Sequence, residues 1–286
     1  MKKVTIEKAR ELGFCFGVRR AIKIVENAAR EHKHIATFGP IVHNRLVVDR
    51  LRGLGVRVVN SLEQIDGETV AIPSHGVPPE LLLELRSCGF RVIDTTCPTV
   101  RRAQRAAKKL ADAGFKVIIF GDSGHPEVKG LLGWAGGGSI ATMDAGNIAV
   151  DSLGRKLGIV SQTTQSLSGF ARFVAGLLTA AGPYTQEVRI INTLCQKTQK
   201  RQDAALELAR RSDLMIVVGG RNSSNTRQLA DVCSLVVETH LVEKADELVP
   251  GWFAGKRHIG VTAGASTPEE AIDEVMSRLR SLVGDG

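Results

Sequence analysis

Three of the five cysteines occupy the same place in a repeating pattern. Cys15 and Gly39, Cys97 and Gly121, and Cys195 and Gly219 are each 24 residues apart. Four residues beyond each glycine stand His43, His125 and Ser223, followed by Asn44-Arg45, Pro126-Glu127 and Ser224-Asn225. A second polar motif closes a later apolar run in each repeat: His75 in TVAIPSHG, Thr163 and Thr164 in LGIVSQTT, and Ser266 in HIGVTAGAS. Thiolates brought together in threes have few uses. Zinc with a fourth ligand is one, although structural zinc sites draw on close CxxC pairs, which this chain lacks. A [4Fe–4S] cluster is the other, and three cysteines would leave one iron open to a substrate. The His, Ser and Asn donors, with Glu127 as the lone acid among them, suit a phosphate or diphosphate. A lone carboxyl beside a reducing centre suits a proton donor. Cys88 and Cys233 have no equivalents in the repeat and are read as bystanders.

Such residues need elements to position them, and the pattern of apolar residues supplies these. Each cysteine ends a strand-like segment (VTIEKARELGFC, RVIDTTC, VRIINTLC) and opens a helical one (FGVRRAIKIVENAAREH, PTVRRAQRAAKKLADAG, QKTQKRQDAALELARRS). HIATFG, KVIIFG and LMIVVG then read as strands closed by glycine, and VRVVN, SIATM and SLVVE as a further strand in each repeat. A last helix follows the second polar motif, in PPELLLELRS, SGFARFVAGLLTAAG and PEEAIDEVMSRLRSL. This alternation predicts an α/β fold of parallel βαβ units, with polar loops gathered beyond the carboxyl ends of the strands. The third repeat stops after its last helix, while the segment before Cys15 is left over. The expected division is therefore residues 16–96, 97–194, and 195–286 together with an N-terminal strand in 1–15. Three such small domains, each marginal alone, would close into a ring with the cysteines around a pseudo-threefold axis.

Composition removes several functions. The chain has 286 residues, 43% apolar and 24% charged, as in an ordinary globular protein. The net charge of +8 comes without a basic tail, and nine Phe, two Trp and one Tyr leave little aromatic surface for stacking bases. That excludes nucleic acid and favours a polyanionic small molecule or an acidic partner protein. No apolar run approaches the ~20 residues that span a bilayer, and the N-terminus lacks a signal peptide's apolar stretch, so no membrane role and a cytoplasmic location are expected. The odd number of cysteines argues against a disulfide framework. Neither GxxxxGK[ST] nor GxGxxG occurs, so electrons must come from outside rather than from a bound dinucleotide.

The stretches GFCFGVRRAI, IVHNRLVVDRL, SHGV, DTTCPTV, GHPEVKG, SQTTQS, TLCQKTQKRQ, NSSNTRQLA and VTAGAST run in order from residue 12 to about residue 268. Together they resemble the LytB/IspH family of 4-hydroxy-3-methylbut-2-enyl diphosphate reductases. The resemblance implies a trefoil of three similar α/β domains around a [4Fe–4S] cluster with one iron not ligated by cysteine. It implies Cys15, Cys97 and Cys195 as its ligands, and His43, His75, Ser223, Asn225 and Ser266 as diphosphate ligands, with His125 and Ser224 lining the same cavity. It assigns proton delivery to Glu127 and orientation of the substrate hydroxyl to Thr163. The implied reaction is the last step of the non-mevalonate isoprenoid route. There, (E)-4-hydroxy-3-methylbut-2-enyl diphosphate loses its hydroxyl in a two-electron reduction to isopentenyl and dimethylallyl diphosphate. Reduced ferredoxin or flavodoxin would donate the electrons to a monomeric enzyme. The alternative, a non-catalytic iron–sulfur sensor or scaffold, leaves Glu127, Thr163 and the polar donors without a purpose. Two departures stand out: the chain ends soon after its last helix, where some relatives carry an extension over the site, and Gln196 and Lys197 flank Cys195.

Overall fold

The computed structural model describes residues 4–32, 34–149 and 153–284; the first three and last two residues of the expected third domain lie outside them. The chain opens with β1 (Thr5–Lys8) and then runs through α1 (Phe16–Glu31), β2 (Ile35–Phe38), α2 (Arg45–Gly53), β3 (Val56–Val59), β4 (Thr69–Ile72), α3 (Pro79–Ser87) and β5 (Arg91–Asp94). The second repeat consists of α4 (Pro98–Asp112), β6 (Lys116–Phe120), α5 (Pro126–Ala135), β7 (Ile140–Thr142), β8 (Lys156–Ser161), α6 (Leu167–Ala181) and β9 (Glu187–Ile190). The third consists of α7 (Gln196–Ala209), β10 (Leu214–Val218), α8 (Ser224–Ser234), β11 (Thr239–Val242), β12 (His258–Ala263) and α9 (Glu269–Val283).

Three four-stranded sheets result, in the orders β3-β2-β4-β5, β7-β6-β8-β9 and β11-β10-β12-β1. Every strand pair among the described residues is parallel. The order is the same each time, and β1 holds in the third sheet the place that β5 and β9 hold in the first two. Its register runs from Thr5 opposite His258 to Lys8 opposite Val261. Charged contacts reinforce that edge: Arg211 donates both terminal nitrogens to the Glu7 carboxylate at 2.8 Å each. The central strands carry near-continuous apolar runs such as LMIVV in β10, buried throughout, as expected where helices cover both faces of a parallel sheet.

Two features differ from the sequence reading. Each repeat has an additional helix (α2, α5 or α8) directly after its first polar motif. Those helices are only 9, 10 and 11 residues long, so each shows about three turns of apolar spacing or fewer, and in α5 (PEVKGLLGWA) two glycines interrupt it. Their caps still announce them: the side chains of Asn44, His125 and Ser223 accept backbone N–H groups from Val47, Glu127 and Thr226. The edge strand expected in SLVVE instead lies at Thr239–Val242. SLVVE begins in the last residue of α8 and passes into a turn, where Leu235 is 82% exposed.

By contact, the chain forms two compact units. One comprises Met1–Arg19, Val42–Asp49 and Gln196–Gly286 and carries the third sheet; the other comprises Arg20–Ile41 and Arg50–Cys195 and carries the first two. Within each, the helix after a cysteine packs on the sheet by matching size to size. A Cβ on Gly158 of β8 would lie 2.9–3.1 Å from three carbons of Leu110 on α4. A Cβ on Gly260 of β12 would lie 2.9 Å from Cγ of Leu208 on α7. At the equivalent places of the first repeat stand Thr69 and Ala28, both buried. A large helix residue over a strand glycine in two repeats is thus replaced by a small helix residue, Ala28, and a larger strand residue, Thr69, in the other. Gly158→Ala should cost about 1–3 kcal/mol by overpacking. Urea denaturation of Gly158→Ala, Leu110→Ala and the double variant should show the double variant more stable than the sum of the singles; strict additivity would contradict the size match.

Candidate active site

The three repeat cysteines are free thiols, each partly buried and each placed ahead of a helix: α1, α4 or α7. Each donates its backbone N–H to a loop carbonyl beyond the third strand of its repeat or of the preceding one. Cys97 bonds to Ser74 at 2.9 Å, Cys195 to Thr163 at 2.9 Å, and Cys15 to Ala265 at 3.0 Å. The cysteine loops are therefore fastened to the second polar motifs, next to His75, at Thr163 itself, and next to Ser266. Cys233 is different: burial pushes its thiol up to about 12, so it stays protonated, and Cys88 is exposed. Among the described residues no group of three or more His, Cys, Asp or Glu side chains is gathered to hold a metal ion.

In the unit carrying the first two sheets, Glu127 and Thr163 form a close pair. The Thr163 N–H donates to Oε1 of Glu127 at 2.6 Å, and the Thr163 hydroxyl pairs with Oε2 at 2.9 Å. Glu127 is only 3% exposed, and burial raises its pKa to about 7, against the pull of both Thr163 hydrogen bonds. Since Oε1 faces an N–H that only donates, the proton of the neutral acid belongs on Oε2, facing the Thr163 hydroxyl. That hydroxyl accepts from the acid and donates to the carboxylate, so it reverses whenever Glu127 gains or loses its proton.

His125 caps the same helix. Its Nδ1 accepts the Glu127 N–H at 3.1 Å, which leaves the proton of the neutral ring on Nε2 as a donor. His75 is set the other way, with Nδ1 donating to the Gly76 carbonyl at 2.9 Å. The loop beyond His75 lies hard against α5: a Cβ on Gly133 would come 2.6 Å from Cβ of Pro78, and Trp134 Nε1 donates to the Val77 carbonyl at 3.0 Å. Gly76 itself must be glycine, because its φ is +71° and a Cβ would sit 2.3 Å from Nε2 of Gln104.

The other unit brings His43, Ser223, Ser224, Asn225 and Ser266 into neighbouring loops. The Ser266 hydroxyl donates to the His43 carbonyl at 3.2 Å, and a Cβ on Gly220 would lie 3.1 Å from that same oxygen. Burial, followed by the nearby Arg227 cation, holds the His43 imidazole below its ordinary pKa. Ser223 caps α8, and Ser224 and Asn225 open it, where N–H groups point outward and favour an anion. Asn225 is 5% exposed, yet neither its amide nitrogen nor its oxygen has a hydrogen-bond partner. A buried carboxamide left unpaired costs roughly 1–3 kcal/mol, which a bound polar group would recover.

Sequence reasoning overlooked Thr95 and Thr193, each two residues before a cysteine. Their hydroxyls donate to the carbonyls of Ile72 and Ser161 at 2.5 Å and tie the cysteine loops to β4 and β8. The shared threonine in DTTC and NTLC was the available signal. Gln196 and Lys197 are exposed on the first turn of α7.

Thiols, anion donors and a buried acid, all in loops following parallel strands, place the chain among α/β proteins that bind ligands beyond the carboxyl ends of their sheets. The LytB protein family model matches residues 6–280, and the chain belongs to that family. It is 53% identical over 278 residues to the 4-hydroxy-3-methylbut-2-enyl diphosphate reductase of Dehalococcoides mccartyi, covering 97% of this chain and 98% of that one. The reductase of Pelobacter propionicus is 42% identical over 275 residues, with 96% and 97% covered. Among solved structures, a Plasmodium falciparum E-1-hydroxy-2-methyl-but-2-enyl-4-diphosphate reductase superposes with a TM-score of 0.90 at 27% identity, covering 97% of this chain and 88% of that one. An (E)-4-hydroxy-3-methyl-but-2-enyl diphosphate reductase, described as the terminal enzyme of the non-mevalonate pathway, gives 0.69 at 39% identity, with 97% and 99% covered. No helix among the described residues is long and apolar enough to cross a membrane.

The environment of Glu127 makes stability depend on pH in a defined direction. Folding raises its pKa from 4.5 to about 7, so the folded state holds the proton more tightly and loses stability as pH climbs through that window. Glu127→Gln removes the ionisation. Relative to the parent, the variant should gain on the order of 1–3 kcal/mol between pH 5 and pH 8 in urea denaturation. A difference that does not change with pH would contradict the assigned burial cost.

Proposed function

We propose that the chain is an iron–sulfur reductase that converts (E)-4-hydroxy-3-methylbut-2-enyl diphosphate to isopentenyl and dimethylallyl diphosphate. The observation that carries this reading is the Thr163 residue, which grips the buried Glu127 carboxyl through its N–H and hydroxyl while its carbonyl holds the N–H of Cys195. One residue thereby couples a proton store to a thiol loop.

Cys15, Cys97 and Cys195 are the proposed cluster ligands. The residues fit such a group: all three are free and partly exposed, and each stands in the loop that enters a helix N-terminus. When bound, a [4Fe–4S] cluster with one iron free of cysteine supplies electrons and a Lewis acid for the substrate's hydroxyl.

The protein's own residues supply anchoring and protons. The α8 N-terminus, with Ser223, Ser224 and the unpaired carboxamide of Asn225, takes the diphosphate together with His43 and Ser266. His125 contributes a further donor through Nε2, and His75, whose Nδ1 proton is committed to the Gly76 carbonyl, contributes one when its ring also carries a proton on Nε2. Glu127 is close to half protonated near pH 7 on its own, and an anionic substrate nearby raises its pKa further. It passes its proton from Oε2 to the Thr163 hydroxyl, which hands its own to the departing oxygen. The carbon–oxygen bond breaks, the hydroxyl leaves as water, and a carbon–hydrogen bond forms at one end of the allyl unit. Two electrons and two protons balance the change. A reduced acidic carrier, ferredoxin or flavodoxin, delivers the electrons to a monomer of net charge +8.

Anaerobic turnover of the hydroxylated diphosphate with an artificial reductant, followed by product analysis, tests the reading. Both isomeric products should form. Glu127→Gln should retain its iron but lose about 10²–10⁴-fold in kcat, and Asn225→Ala should raise KM. A parent protein that holds iron but makes neither product would overturn the proposal.

A further inference from the structure

The peptide bond ahead of each repeat cysteine is held at both ends. Its N–H, on Cys15, Cys97 or Cys195, donates to a loop carbonyl as described. Its carbonyl accepts from an arginine. The Phe14 oxygen takes Nε of Arg19 at 3.0 Å, and the Leu194 oxygen takes Nη2 of Arg102 at 3.0 Å. The Thr96 oxygen takes Nη1 of Arg20 at 3.4 Å, and the same nitrogen lies 3.3 Å from the Thr95 oxygen.

Two of these arginines follow the repeat. Arg20 comes five residues after Cys15 and Arg102 five residues after Cys97, so each helix that follows one cysteine carries the clamp for the loop before the next. Lys200 occupies that offset after Cys195, and the loop before Cys15 relies instead on Arg19 of its own helix. The loops before Cys97 and Cys195 are also braced locally: the Thr96 and Leu194 N–H groups donate to Asp94 Oδ1 at 2.9 Å and Asn192 Oδ1 at 3.0 Å.

Since the peptide is planar, pinning its oxygen and its N–H fixes the plane and restricts the direction in which the following Cα–Cβ bond leaves it. The guanidinium also brings a permanent positive charge to a place where thiolates and added electrons accumulate negative charge. We infer that Arg20 and Arg102 are positioning residues for the Cys97 and Cys195 thiolates. They set how firmly iron is held and shift the bound group's reduction potential upward. This inference rests on the iron–sulfur reading above.

The test uses anaerobically purified holoprotein of the parent, Arg20→Gln, Arg102→Gln, Arg102→Lys and, as a control on the same helix as Arg102, Arg105→Gln. Three quantities are measured: the rate of iron transfer to a ferrous chelator, the midpoint potential by paramagnetic resonance titration, and the unfolding temperature. Both Gln variants should release iron about tenfold faster or more and titrate at more negative potential. Arg102→Lys, which keeps the charge but not the planar fork, should recover potential better than iron retention, and Arg105→Gln should match the parent. Parent-like iron release and potential in both Gln variants would overturn the inference, as would equal effects from Arg105→Gln. If a Gln variant fails to fold, the Lys variant decides: faster iron loss supports the clamp, and parent-like retention refutes it. A parent protein that binds no iron–sulfur cluster fails the underlying reading, and the inference falls with it, which distinguishes the two failures.

Discussion

A parallel strand can return to its sheet only by a crossover, so the loops leaving its carboxyl end all collect at one edge. Each of the three sheets here uses that constraint in the same way. The loops after the central strands carry His43, His125 and Ser223; the loops after the neighbouring strands carry His75, Thr163 and Ser266; and the strands β1, β5 and β9 lead into the cysteines. The chemistry is assembled from loops because the strands fix where those loops begin. The thiol loops are tied to the polar motifs through backbone: the cysteine N–H groups bond to Ser74, Thr163 and Ala265, beside or within those motifs. A side chain substituted in one motif can therefore disturb the thiol loop without touching the thiol.

Glu127 shows how opposed effects are balanced at such a loop. Burial favours the acid, whereas the two Thr163 hydrogen bonds favour the carboxylate, and burial wins by enough to bring the group near neutrality. Without Thr163 the carboxyl would be a still weaker acid that releases its proton reluctantly. Without burial it would be ionised at pH 7 and have no proton to give. The pair therefore keeps a proton available where an ordinary glutamate would have lost it.

The repeated spacing made the cysteines, the glycines and the polar residues after them legible in the sequence, because each offset recurs and mutual agreement outweighs any single motif. The long helices were legible for the same reason. The short helices α2, α5 and α8 were not: about three turns or fewer give little repetition of the helical period, glycines interrupt α5 and polar residues open α8, and the caps Asn44, His125 and Ser223 mark where they start. SLVVE misled because a helix end followed by a turn imitates a strand's run of apolar residues. The double role of Thr163 and the reach of Arg20 and Arg102 are invisible in the chain, since they depend on carbonyls some 75 or more residues away. In sequence those arginines look like the solvated face of a helix.

The central claim is that three cysteines hold a cluster with one iron left for the substrate's hydroxyl. Iron-57 Mössbauer spectroscopy of the anaerobically purified protein tests this most directly. The account predicts one iron site distinct from the cysteine-bound sites, and a change confined to that site when the hydroxylated diphosphate is added. Irons that are all equivalent and unaffected by substrate, or a protein with no iron–sulfur signal at all, would contradict it.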